Sequence, residues 1–401
     1  MSKVVVIGGG ASGLVAAIQA SENNEVILLE SNDKCGKKIL LTGNGKCNYW
    51  NSDISIDKYN TDNENILSNI INKENQEKVL SFLESIGIYP KIKNGYYYPY
   101  SNQASIVITL LLNELERRKI NVIYNFKVDN IIKNDNSFII KSNDKNITCD
   151  KVIIAAGSCA CPKTGSDGSS YTLVESLGHN INLVTPSLVQ LKGNESYFKE
   201  WDGVRCDSKI TLLINNEKVK EEFGEIQLTD YGISGICTFN ISGLATKNLE
   251  LNKKVSVIIN FLPSLETNFY NWFTNRNNNI FNHTIEELLE SVIPYKLMFV
   301  LLKKANIDRN SHWNNLTESQ KRTLSNMIEE FTLDITGYHS FDRAQVATGG
   351  VSINEINPNT MESVITNNLY LVGELLDVDG KCGGFNLAFA FISGYLAGRS
   401  I

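Results

Sequence analysis

Long apolar runs are missing from this chain of 401 residues. No stretch approaches the roughly 18 consecutive apolar residues that a membrane-spanning helix needs, so no membrane partner is expected. The N-terminus lacks a basic region and a cleavage site, because Val4 to Ile7 run straight into glycines. No signal peptide is expected there, and the chain reads as cytoplasmic. An excess of positive charge is also missing: 38 Lys and Arg stand against 44 Asp and Glu, a formal net charge of −6. Nucleic-acid binding leans on a basic surface that neutralises phosphates, so nucleic acid is not expected as a main partner. The short run Arg117-Arg118-Lys119 ends an amphipathic helical pattern, where it complements the helix dipole. RNA modification is disfavoured further by the lack of interleaved basic and aromatic residues.

Closely spaced cysteine pairs of the redox or zinc type are absent. The eight cysteines, Cys35, Cys47, Cys149, Cys159, Cys161, Cys206, Cys237 and Cys382, are scattered, and Cys159-Ala160-Cys161 is too tight for either signature. They read as reduced thiols, and no metal site is expected. Histidine is scarce. His179, His283, His312 and His339 each read as surface or core residues, so no catalytic acid or base is visible. No internal repeat is found.

What is present is the composition of a packed protein, 42% hydrophobic and 20% charged. Single cores stop growing at roughly 250 to 300 residues, so more than one domain is expected. Near the start, Lys3 to Ile7 is a short β-branched run of the kind that forms a buried parallel strand. Gly8-Gly9-Gly10-Ala11-Ser12-Gly13 follows at once and satisfies GxGxxG at Gly8, Gly10 and Gly13. Leu14 to Ala20 then reads as a helix, and Glu25 to Glu30 as a second strand ending in an acid.

The glycines divide the work physically. Gly8 makes the tight turn, Gly10 admits a pyrophosphate, and Gly13 lets the helix lie on the sheet. Unpaired N–H groups at Ala11, Ser12 and Gly13 favour an anion at the helix start. Glu30 is placed to accept hydrogen bonds from ribose hydroxyls, and an acid there disfavours a 2′-phosphate. The ligand is therefore FAD or NAD rather than NADP.

Three further segments select FAD. The loop Gly36 to Asn48 carries Lys38, Thr42, Gly43, Gly45, Cys47 and Asn48, whose backbone can approach a ligand closely and whose lysines are available to phosphate. At the other end, Asn368 to Val372 reads as a strand running into Gly373-Glu374, an acid suited to a ribityl hydroxyl. Beyond it, Gly383-Gly384 leads a helix whose first residues Phe385, Asn386 and Leu387 aim N–H groups at the flavin N1–O2 edge. Lys151 to Ser158 is a buried strand breaking at Ala156 and Gly157 and suited to closing over the nucleotide, and Val128 joins the same cofactor set. A plain NAD enzyme has no need of so distant a C-terminal segment.

Read together, these segments resemble the bacterial HI0933-like flavoprotein family, which includes aminoacetone oxidases and bile-acid dehydro-intermediate reductases. The likeness covers nearly the whole chain and adds Pro162 to Ser166 and Ala344 to Val351 to the segments above. It implies FAD and a glutathione-reductase-like α/β Rossmann domain. The chain departs from the family pattern at Ser158, where a second glycine is common, and at Ala160-Cys161, where Ser-Tyr is common.

Between the motifs, Glu77 to Ile86 reads as an amphipathic helix and Tyr96 to Tyr100 as an aromatic, half-buried strand that could also stack on a flat ligand. Lys209 to Ile214 and Val255 to Phe261 read as strands, and Ile285 to Val292, Tyr295 to Lys304 and Glu318 to Phe331 as helices. The expected organisation is an FAD domain over 1–190 and 335–401, an inserted β-rich domain over 191–263 and a helical insert over 264–334.

The expected chemistry is hydride transfer between flavin N5 and a small or flat organic substrate. With no second GxGxxG unit, NAD(P)H is expected to bind transiently or not at all. One branch is NAD(P)H-dependent reduction of an activated C=C bond in a steroid-like, bile-acid-like or other enone. Another is oxidation of a small amine such as aminoacetone by O2, and a third is a flavin-binding sensor or scaffold without turnover. Oligomeric state is left open.

Overall fold

The computed structural model describes residues 1–143, 145–277 and 283–401. Residues 278–282 of the expected helical insert lie outside the described residues. The chain divides into two compact units, Met1–Thr185 with Gln345–Ile401, and Pro186–Ala344.

The first unit is built on a five-stranded sheet in the order Leu369–Leu371, Lys151–Ile154, Lys3–Ile7, Glu25–Leu29, Asn121–Ile123. All four pairings are parallel. Parallel strands are covered on both faces, which is why Val4 to Ile7 and Val152 to Ile154 are apolar without alternation and buried. Val6 pairs with Ile153 on one side and Leu28 on the other, so the N-terminal strand is central. The C-terminal strand joins the same sheet, which brings the two ends of the sequence together.

Helices Ala11–Ala20 and Phe385–Ser400 are buried over almost their whole length. They pack closely because the second offers glycines to the first. A Cβ on Gly394 would stand 2.3 Å from the Ser12 carbonyl oxygen, and one on Gly398 2.5 Å from that of Ala16. Smaller sheets accompany the parallel one: Trp50–Asn51, Tyr96–Pro99 and Pro90–Lys93 form one, Asn130–Lys133, Phe138–Ser142 and Lys145–Cys149 another, Tyr59–Thr61 pairs antiparallel with Val378–Gly380, and Ile181–Ser187 pairs with Val346–Val351.

The second unit carries a seven-stranded antiparallel sheet, ordered Phe331–Ile335, Val255–Asn260, Arg205–Ile214, Glu217–Thr229, Gly232–Gly235, Leu191–Lys192, Gly337–Tyr338. Its long hairpin turns at Asn215-Asn216, both with positive φ (52° and 68°), as a two-residue hairpin loop demands. Helices Phe269–Asn277, Ile285–Glu290, Tyr295–Lys304 and Glu318–Glu329 follow. Thr284 and Thr317 open two of them with capping boxes. These helices and the sheet share one hydrophobic core around Trp201, Ile241, Leu297 and Leu333. The reading of Glu318 to Phe331 as one helix stops two residues early, because Phe331 turns into the sheet and pairs with Ile259. Among the described residues, no helix is long and apolar enough to cross a membrane.

Candidate functional site

The glycine turn divides its work as its spacing suggests. A Cβ on Gly13 would lie 1.9 Å from the Gly8 carbonyl oxygen, so this position is closed by the strand the helix lies upon. A Cβ on Gly10 would meet nothing within 4 Å, so here the backbone faces open space. The helix that follows has neither a side-chain cap nor an acid in its first turn, and its first main-chain bond to a preceding residue is Leu14 N–H to Gly10. The N–H groups of Ala11, Ser12 and Gly13 thus have no helical acceptor, the arrangement that an anionic diphosphate satisfies. The residues present therefore fit a dinucleotide.

Glu30 is buried, at 7% exposure, and its carboxylate is already engaged. Gly9 N–H donates to one oxygen at 2.8 Å, while Asn32 donates to the other from both its backbone and its amide, each at 2.8 Å. The acid braces the glycine turn from behind, a role that its distance from the glycines did not reveal.

The loop after the second strand winds through left-handed backbone at Gly43 (φ 55°), Asn44 (53°), Gly45 (80°) and Cys47 (59°). A Cβ on Gly45 would meet nothing within 4 Å. Thr42 closes the preceding turn by donating its hydroxyl to the Ile39 carbonyl. Cys47 is fully buried, and burial pushes its thiol up to about 11, so it is no thiolate at neutral pH. In the orientation that satisfies its neighbours, the Asn48 amide donates to the carbonyls of Tyr97 and Trp50. Gly384 stacks on the same residue: its φ is 95°, and a Cβ there would stand 2.5 Å from the Trp50 carbonyl oxygen. Trp50 thus joins the N-terminal loop to the start of the C-terminal helix.

Lys38 differs most from the sequence expectation. Its ammonium does not stand free for phosphate. It pairs with Glu374 at 2.6 Å and donates to the Ala160 carbonyl at 3.1 Å. Glu374 in turn accepts from the Ser158 hydroxyl at 2.8 Å and from Ala347 N–H at 3.0 Å. A half-buried carboxylate without a cation is costly, and Lys38 offsets that cost. Glu374 therefore ties four segments, and a ribityl hydroxyl would have to share its carboxylate with these bonds. Ser158 and Ala347 were not among the expected site residues. Ser158 is fully buried, and the one sequence signal for it is the serine standing where the family pattern has glycine.

Gly373 lies between the two long helices: its N–H donates to Ser393 Oγ at 3.0 Å, and a Cβ would reach Ser12 Oγ at 2.5 Å. Ala156 lies against Gly8, and Gly157 (φ 75°) turns beneath Ser166. Asn386 clips its own loop, receiving Gly380 N–H and donating to the Gly380 carbonyl, each at 2.8 Å. Phe385 is buried against Tyr59, whose hydroxyl donates to its carbonyl, while Leu387 is partly exposed. Val128 is buried in the stretch that leaves Glu30 through Phe126 N–H, and none of its bonds reaches the other site residues.

Among the described residues no cysteine is joined in a disulfide. Of the histidines, His179 is held between Glu355 and Ser363 at 2.8 and 2.9 Å. Ser363 Oγ also accepts Ile365 and Thr366 N–H, so this triad-like row is a loop clip rather than a nucleophile. His312 bonds the His283 carbonyl, and His339 is edge-on to Tyr231 in the second unit.

The family model of the HI0933-like protein Rossmann domain matches residues 2–400. The chain is 38% identical over 404 residues to a 3-dehydro-bile acid delta(4,6)-reductase of Clostridium scindens, covering 100% of this chain and 99% of that protein. It is 25% identical over 402 residues to a ribosomal RNA dihydrouridine synthase of Escherichia coli, covering 99% and 97%. Among solved structures, the open conformation of a flavocytochrome c3 fumarate reductase aligns over 100% of this chain and 78% of its own, with 14% identity and a TM-score of 0.49. The chain thus belongs to the HI0933-like family and is an FAD-dependent oxidoreductase built on a Rossmann-type FAD-binding domain.

Proposed function

We propose that this flavoenzyme reduces a C=C bond conjugated to a carbonyl in a flat, steroid-like or other cyclic enone, with NAD(P)H as a transiently bound electron donor. The observation that carries the proposal is the full-length 38% identity to a protein named as a reductase of 3-dehydro-bile acids. Bound FAD supplies the two-electron carrier. The chain's own part is to hold and orient it. The open face at Gly10 and the N–H groups of Ala11, Ser12 and Gly13 take the diphosphate. The loop Thr42 to Asn48, with Ala156, Gly157 and the Lys38–Glu374 pair, lines the middle. The N–H groups leading Phe385 to Leu387 would face the flavin edge where charge gathers, since that helix also starts without an acid. Among the described residues the parallel sheet of five strands is the one Rossmann-type sheet, which supports a nicotinamide that binds transiently.

Anaerobic mixing of the oxidised protein with NADH and with NADPH tests this reading. Bleaching of the flavin band within seconds, followed by its return on adding 2-cyclohexen-1-one, is expected. A band that bleaches with aminoacetone and recovers only in air would establish the amine oxidase instead. A flavin that no donor reduces would leave a redox sensor or scaffold.

The 25% relatives named as dihydrouridine synthases favour a second substrate for the same bond chemistry, a uracil ring. The net charge of −6 weighs against an RNA-borne one. Recovery of the reduced flavin on adding ribosomal RNA, but not a free enone, would reverse that preference.

A further inference from the structure

The second unit holds a polar corner that the cofactor chemistry does not use. Leu191–Lys192 is paired on one side with Gly232–Gly235 and on the other with Gly337–Tyr338. Two further backbone bonds, His339 N–H to Gln190 and Gly193 N–H to Tyr231, extend this narrow strip at its ends. The strip brings Gln190, Lys192, Tyr231 and His339 together from three places in the sequence. The Tyr231 and His339 rings meet edge to face at 4.7 Å and 89°. His339 Nε2 and Gln190 Oε1 are both buried, and neither finds a hydrogen-bond partner among the described residues. A native structure rarely leaves such atoms idle, and the imidazole nitrogen is the one of the two that an anion can satisfy.

The charges that act on the imidazole are both positive. Lys192 and Arg343 both act on His339; with burial as the larger cause, they hold its imidazole below its usual range and so neutral at pH 7. Arg343 also acts on Tyr231, where the opposing acids are Asp230 and Asp202. Neither Lys192 nor Arg343 has an ion-pair partner among the described residues. Two cations outside any ion pair, beside a phenol and a neutral imidazole, can receive a negatively charged oxygen.

We infer that this corner binds the carboxylate of a small organic acid, with Lys192 and Arg343 supplying charge and Tyr231 and His339 donating hydrogen bonds. The inference goes beyond the enone-reductase reading and concerns the second unit alone. It does not need that reading to be tested. Isothermal titration of the FAD-loaded full chain with cholate and with cholate methyl ester compares a carboxylate with its uncharged counterpart. Cholate is expected to bind about tenfold more tightly than the ester. The double variant Lys192→Gln/Arg343→Gln should bring the two within about twofold. Lys192→Arg/Arg343→Lys, which keeps both charges, should retain most of the preference. Equal affinities in the unaltered protein, a preference that survives the double Gln variant, or no binding of either probe would each overturn the site. If cholate is preferred but no enone reoxidises the reduced flavin, the proposed reaction falls and the carboxylate site stands.

Discussion

Glu30 and Glu374 hold parallel places in the first unit, each just beyond a strand of the parallel sheet, yet the fold employs them differently. Glu30 draws its donors, Gly9, Ser31 and Asn32, from its own neighbourhood in the chain. No cation approaches within ion-pair distance of it among the described residues. Glu374 draws Lys38 and Ser158 across 336 and 216 residues, together with Ala347. The first acid braces a turn that the glycines already dictate. The second cross-ties both ends of the chain, so closure of the unit depends more on Glu374 than on Glu30.

Removing the cross-tie should have the largest effect. Glu374→Ala leaves the Lys38 ammonium, the Ser158 hydroxyl and Ala347 N–H without their acceptor, a loss of about 3 kcal/mol. The urea midpoint of the purified protein reads it directly. Combined with Lys38→Met in a double-mutant cycle, the pair should show coupling of about 1 kcal/mol or more. A Glu374→Ala protein within about 0.5 kcal/mol of the parent would erase the contrast between the two acids.

Glu30→Ala comes next. It removes bonds from a charged acceptor worth roughly 1.5 to 3 kcal/mol, part of it to the turn and part to bound FAD. With about half of that falling on the ligand, flavin affinity should fall about three- to tenfold, as measured by equilibrium dialysis of the apoprotein. Glu30→Gln sharpens the split, since the amide keeps one oxygen for Gly9 or Asn32. If Glu30→Gln restores the folding midpoint while FAD stays weak, the charge serves the ligand; if both recover together, the acid acts only as a brace.

The same contrast explains what could be read from sequence. The turn Gly8 to Gly13 is legible because strand, glycines and helix are contiguous, and Gly13 answers to Gly8 five residues before it. The parallel sheet is legible because strands buried on both faces abandon alternation, as Val4 to Ile7 and Val152 to Ile154 do. The partners of Glu374 are not legible, because four segments meet there and no period or motif links Ser158 to Ala347. Lys38 was open to misreading for the same reason, since a lysine in a glycine-rich loop offers a phosphate contact until a distant carboxylate claims it. The strand Phe331–Ile335 was hidden behind the amphipathic helix Glu318–Glu329, whose apolar period runs into it without a break. The corner at Tyr231 and His339 draws on three separated stretches, each of which alone looks like ordinary strand or loop.

Gly10→Ala should disturb the fold least, and it isolates the local half of the contrast. The added methyl meets nothing within 4 Å, and the residue's φ of −82° suits alanine, so the urea midpoint should stay within about 0.5 kcal/mol of the parent. Its neighbour is the control: Gly13→Ala forces a methyl to within 1.9 Å of the Gly8 carbonyl oxygen, and the overpacking should cost about 1 to 3 kcal/mol. For flavin the first variant should suffer on its own account, because the space left beside Gly10 is the space a pyrophosphate enters. Affinity about tenfold weaker with an unchanged midpoint would place the diphosphate at this turn. Undiminished FAD binding by Gly10→Ala would move it elsewhere, and the open face beside the helix start would then need another occupant.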